Sequence, residues 1–104
     1  MKPPHECASM DDVREAIDAI DQHVIRLLGE RRHYVDAATQ FKTDAASVRA
    51  PERFKVMLQQ QRAWAEANGL SADVVEKIYT DLVNYFIEEE MATWASRDRG
   101  ATTS

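Results

Sequence analysis

Between Val13 and Ala45 the apolar residues recur at alternating steps of four and three: Val13, Ile17, Ile20, Val24, Leu27, then Arg31, then Tyr34, Ala38, Phe41 and Ala45. That rhythm places every member on one stripe of a long helix and is incompatible with a strand, whose faces alternate every second residue. One member of the stripe is a guanidinium. Arg31 cannot shed its charge, so an apolar seam holds it only at a cost unless an anion meets it. That anion is a carboxylate of the protein or a carboxylate of a ligand.

Turn signals divide the rest of the chain. Ser9 followed by Asp12 reads as a capping box, which starts a first helix over about residues 10–45. The polar and small stretch Thr43 to Ala50 reads as a loop, and Pro51 as the first-turn proline of a second helix over about residues 51–68. Phe54, Met57, Leu58 and Trp64 are its expected inward residues. Asn68-Gly69 supplies a left-handed stop, and Ser71 or Asp73 opens a third helix over about residues 71–97. Its apolar face carries Val75, Ile78, Tyr79, Leu82, Val83, Phe86 and Trp94, and a tail over residues 98–104 is expected to be disordered. Trp64 and Trp94 are both expected in the core.

At 104 residues and 44% hydrophobic, with three Gly and three Pro, the chain fits one all-α domain. A first helix of roughly 35 residues would be about 50 Å long. A globule of this length has a radius of gyration near 13 Å, so two further helices cannot cover such a seam throughout. A second copy, most simply related by a two-fold axis, would bury the remainder. The expectation is therefore a three-helix chain in an intertwined homodimer.

Net charge is -5, which disfavours nucleic acid and anionic lipid as partners. The single cysteine, Cys7, allows no internal disulfide, and neither a secretory leader nor a membrane-length apolar run is present. The reading is of a soluble cytoplasmic protein. His5, His23, His33 and Cys7 lack metal-ligand spacing, and no nucleophilic triad or Gly-rich phosphate loop is evident. No metal and no cofactor are expected.

Cations gather instead. On a continuous helix Lys42 lies about 20° from Arg31 on the wheel and roughly 16 Å along the axis, so two long side chains can converge on one dianion. Arg14 lies about 25 Å from Arg31 on the same helix, too far to share that pocket unless a partner chain presents it. Arg53, in the first turn of the second helix, is a fourth candidate. Glu90 falls on the same face as Tyr79, Val83 and Phe86, whereas Glu88 turns to solvent. A carboxyl group on such a face should have a raised pKa unless a cation sits beside it. Each residue also has a plainer role: Arg31 paired with Glu90 or another acid, Lys42 snorkelling at the surface, Arg14 in a helical surface pair with Glu15 or Asp18. Their convergence favours a site.

These residues, in order and spacing, resemble the all-helical chorismate mutase family, and most closely its isochorismate pyruvate lyase branch. The resemblance runs from Lys2 to about Arg99. It is carried by Arg14-Glu-Ala-Ile-Asp-Ala-Ile-Asp21, Leu28-Gly-Glu-Arg31, Tyr34-Val35, Phe41-Lys42, Ala50-Pro-Glu-Arg53, Trp64-Ala-Glu-Ala-Asn-Gly-Leu70 and Tyr85-Phe-Ile-Glu-Glu-Glu90. It implies an intertwined dimer with two equivalent sites, each binding a small dicarboxylate through Arg31, Arg53 and the partner's Arg14. It also implies pericyclic, cofactor-free chemistry, with Lys42 and Glu90 at the breaking ether oxygen.

Two departures from the ordinary bacterial mutases sharpen the expectation. There, acids at the positions of Ala50 and Phe54 meet the substrate hydroxyl; here neither position is acidic. Isochorismate carries its hydroxyl elsewhere on the ring, so the loss favours a lyase that forms salicylate and pyruvate, with some chorismate-to-prephenate activity. Position 90 is usually glutamine in those relatives. Glutamine donates a hydrogen bond at any pH, while Glu90 donates only when protonated, so activity is expected to fall as pH rises. A dedicated chorismate mutase and a catalytically silent helical interaction domain are the alternative readings.

Overall fold

The computed structural model describes the backbone of residues 2–103 and the side chains of residues 2–96. Among them it contains helices and turns and no strand: α1 (Met10–Ala38), α2 (Ala45–Arg49), α3 (Pro51–Ala67) and α4 (Ala72–Thr103). The chain divides into two compact units, Met1–Val35 and Asp36–Ser104. No helix among the described residues is long and apolar enough to cross a membrane.

The first unit is most of α1 and the segment that precedes it. Ser9 Oγ accepts the Asp12 backbone N–H at 3.2 Å, as a capping box requires, but the Asp12 carboxylate reaches one residue further back, to the Ala8 N–H at 2.9 Å. Lys2 Nζ closes on the same carboxylate oxygen at 3.2 Å. The leading segment, with a 3-10 turn at Pro4–Glu6, is thereby tied to the helix start. No residue of α1 is buried. Its apolar row is uncovered, from Ile17 at 51% exposed to Tyr34 at 79%.

The first helix ends earlier than the apolar rhythm suggests. Thr39 Oγ1 donates to the Asp36 carbonyl at 2.6 Å, the chain tightens into a 3-10 turn at Thr39–Phe41, and Lys42 is extended at φ -100 and ψ 132. A threonine hydroxyl bonded back onto the preceding turn competes with continued α geometry. The wheel relation between Arg31 and Lys42, which assumes one continuous helix, therefore does not hold. The stretch expected as loop contains α2, capped by Asp44, whose carboxylate accepts the Ser47 N–H at 2.7 Å. Ala50 closes α2 in the left-handed region at φ 39, and Pro51 opens α3 at its favoured position.

The end of α3 follows the turn signal closely. Gly69 is at φ 73, its N–H donates to the Glu66 carbonyl at 3.1 Å, and the Leu70 N–H donates to Ala65 at 2.8 Å. These two bonds form a Schellman stop. Ser71 Oγ then accepts the Val74 N–H at 3.3 Å and caps α4. That helix runs to Thr103, past the expected end near residue 97. Of residues 98–104, expected to be a disordered tail, the backbone of 98–103 continues α4 and residue 104 lies outside the described residues.

In the second unit α2 and α3 both pack on α4. Val48, Ala65, Ala72, Val83 and Phe86 are its buried apolar residues. The inward stripe of α3 is Phe54, Met57, Leu58, Gln61 and Ala65, the last two buried. Trp64 is 61% exposed, contrary to the expected core position, because it lies about 100° around the helix from Ala65. Ile78, expected on the inward face of α4, is likewise exposed, and Trp94 is half-buried. Arg62 ties the two long helices together, reaching Asp73 at 2.9 Å and Glu76 at 3.2 Å.

Candidate active site

Helical periodicity delivers Glu90 to the interior of the second unit. It follows Val83 and Phe86 on the buried stripe of α4, at steps of seven and four, and is itself 6% exposed. Glu88 points to solvent, as its wheel position requires. An ionised carboxylate in such surroundings needs a counter-charge.

Lys42 supplies it. Its Nζ donates to Glu90 Oε2 at 2.7 Å, across 48 residues of sequence, and its side chain is 21% exposed. The non-helical link after Phe41 makes this possible, since an extended residue projects its side chain free of a helical row. A cation thus sits directly beside Glu90. An ammonium group carries three protons, so Lys42 retains two N–H groups beyond the one held by Glu90. A ligand oxygen arriving at the partly open side can take one.

The arginines are placed by other elements. Arg53 lies in the first turn of α3 with its side chain exposed, just after the left-handed Ala50. Arg31 is half-buried on α1 and Arg14 is exposed near the same helix's start. The two lie on one unbroken helix, about 25 Å apart along its axis. Ala50 and Phe54 bring no carboxylate to the start of α3, and the Phe54 backbone N–H is bonded to the Ala50 carbonyl at 3.0 Å. No cluster of three or more His, Cys, Asp or Glu suited to a metal occurs among the described residues. One feature passed over in the sequence is Gln61. It lies on the inward stripe at the heptad step from Phe54, a polar residue where an apolar one is the rule.

A family description, chorismate mutase type II, matches residues 13–91. The chain is 43% identical over 101 residues to an isochorismate pyruvate lyase from Pseudomonas aeruginosa, covering 97% of this chain and 99% of that one. It is 34% identical over 85 residues to a T-protein from Haemophilus influenzae, covering 81% of this chain but only 22% of that longer one. With a match that spans most of the chain and holds Arg14, Arg31, Lys42, Arg53 and Glu90 within it, the chain belongs to the chorismate mutase type II family.

Proposed function

We propose that the protein is an isochorismate pyruvate lyase acting in the cytoplasm, with chorismate-to-prephenate rearrangement as a secondary activity of the same pocket. The observation that carries this reading is the likeness along 97% of the chain to a protein named for that reaction. The residues at the start of α3 support it, because Ala50 and Phe54 offer no acid to a hydroxyl at the chorismate position.

The chemistry asks for no external reagent. The ether C–O bond breaks, the hydrogen on the hydroxyl-bearing ring carbon passes to the enolpyruvyl methylene, and the ring closes its aromatic sextet as salicylate while pyruvate leaves. Atoms and electrons balance within one substrate. The protein's part is to hold a compact conformer and to stabilise charge growing on the ether oxygen. Arg31 and Arg53, with the partner's Arg14, would clamp the two carboxylates. Lys42 would give its spare N–H to the ether oxygen while Glu90 holds its ammonium in place.

A homodimer follows from the same reading. The uncovered apolar row of α1 is the face that a second α1 would bury, and the axial distance assigns Arg14 to the other chain's site. Incubation with isochorismate and with chorismate, assaying salicylate plus pyruvate and prephenate separately, tests the proposal. Salicylate with a smaller yield of prephenate is the expected result. Prephenate alone would make the protein a dedicated mutase; turnover of neither would leave a silent helical domain.

A further inference from the structure

Lys42 and Arg53 stand at the two ends of a link, Thr43 to Glu52, that carries α2. With five residues α2 is too short to be stable in water by itself, so what holds the link must come from packing. That packing is concentrated in one side chain. Val48 is 3% exposed, the lowest value among the described residues, while the rest of α2 is exposed or half-buried. The helix packs on α4, which also carries Glu90.

The link is therefore tied to α4 at two points, the Lys42–Glu90 ion pair and Val48. Little freedom separates the second point from Arg53. Ala50 turns the chain in the left-handed region at φ 39, its N–H donates to the Ala46 carbonyl at 2.8 Å, and Pro51 fixes the entry into α3. Where Val48 is seated thus bears on both cations.

We propose that Val48 is a positioning residue for the candidate site: buried against α4, it keeps the link closed so that Lys42 and Arg53 present their charges at a fixed separation. This rests on the reading in which both bind one dicarboxylate. With no polar atom in its side chain, Val48 acts only through the population of the closed link. If truncation lets the link open, only the closed fraction binds, and apparent affinity falls by that fraction. Saturating substrate closes it again. The signature is a raised KM with kcat retained, opposite to the loss of kcat expected on removing Lys42.

The test joins trypsin digestion to kinetics on the intact protein. Arg49 is exposed beside Val48, so cleavage of the Arg49–Ala50 bond reports opening of the link whether or not the protein turns over a substrate. Val48→Ala should be cut there about tenfold faster than the parent and should raise KM for isochorismate about tenfold, with kcat within about twofold. Alanine is the better helix former, so a loss of local helix propensity does not account for such opening. Val48→Ile, which keeps the branched bulk, should stay within about twofold of the parent in both readouts. Ala65→Gly, at a buried position on α3 about 18 Å along the helix from Arg53, should lower the melting temperature and leave KM unchanged. Unchanged cleavage in Val48→Ala would overturn the anchoring role. Faster cleavage with unchanged KM would overturn its connection to the site, and a KM raised equally by Ala65→Gly would reduce Val48 to general packing. A parent that turns over neither isochorismate nor chorismate would remove the lyase reading, and the digestion would still decide whether Val48 anchors the link.

Discussion

Lys42 and Glu90, separated by 48 residues, form a part-buried ion pair at 2.7 Å. Each answers a need of the other. The α4 stripe carries a carboxylate into an apolar interior, and the break after α1 frees a lysine to meet it. Removing one partner of such a pair leaves the other charge uncompensated. Lys42→Met should therefore destabilise the fold by about 1–3 kcal/mol and reduce kcat by about two to three orders of magnitude. The double variant Lys42→Met with Glu90→Leu should recover most of the stability and none of the activity. Urea unfolding and salicylate assays on the parent and the two variants separate the two effects. If activity returns with stability, the pair is structural only.

Glu90→Gln keeps an oxygen acceptor for Lys42 and adds an N–H that donates at every pH. If Glu90 contributes a proton-bearing donor in the loaded site, the parent enzyme should lose activity as pH rises and Glu90→Gln should have a flatter profile. The check is kcat/KM for isochorismate from mildly acidic to alkaline pH. A parent enzyme equally active at both ends would remove that role and leave Glu90 as the residue that positions Lys42.

Arg14 and Arg31 lie about 25 Å apart on α1 and are proposed to serve different sites of a dimer. Arg14→Ala and Arg31→Ala should each be inactive as homodimers. Unfolding the two together and refolding the mixture should restore about a quarter of the native activity, because each mixed dimer has one intact site. A mixture as inactive as its components would place both arginines in one chain's site.

Asp44 caps α2, and hydrogen bonds from the Ser47 backbone N–H and then its side chain hold the carboxyl below its ordinary pKa. A group whose pKa is lower in the folded state stabilises above the pKa of the unfolded chain, and that stability is lost as pH falls through the folded value. Asp44→Ala should thus be less stable than the parent near neutrality, and the gap should close in acid. Thermal melts at a series of pH values measure it; a constant gap would mean that the charge of the cap contributes nothing.

Ala50 occupies the left-handed region at φ 39 between α2 and α3. A Cβ in that region costs roughly 1 kcal/mol, which glycine does not incur. Ala50→Gly should accordingly raise the unfolding free energy by up to about 1 kcal/mol, reduced by the greater entropy glycine brings to the unfolded chain. A lower melting temperature would show that the entropy term prevails.

What the sequence determined by itself was local. The stripe beginning at Val13, the proline that opens α3, the Schellman stop at Gly69 and the inward position of Glu90 each depend on residues within about two helical turns, where periodicity and capping operate. The family resemblance added what the candidate cations would bind. Tertiary structure decided the rest. Nothing in the apolar rhythm marks Ala38 as the end of α1, since Phe41 and Ala45 continue it; the break is set by the Thr39 back-bond and by a segment that packs elsewhere. The inward stripe of α3 buries Gln61 and Ala65 and leaves Trp64 outside, because the direction in which α4 lies, not side-chain hydrophobicity alone, selects the face. Arg31, the charge that interrupts the α1 stripe, was legible from spacing. The partner of Glu90 was not, because an ion pair across 48 residues forms only after the helices have packed.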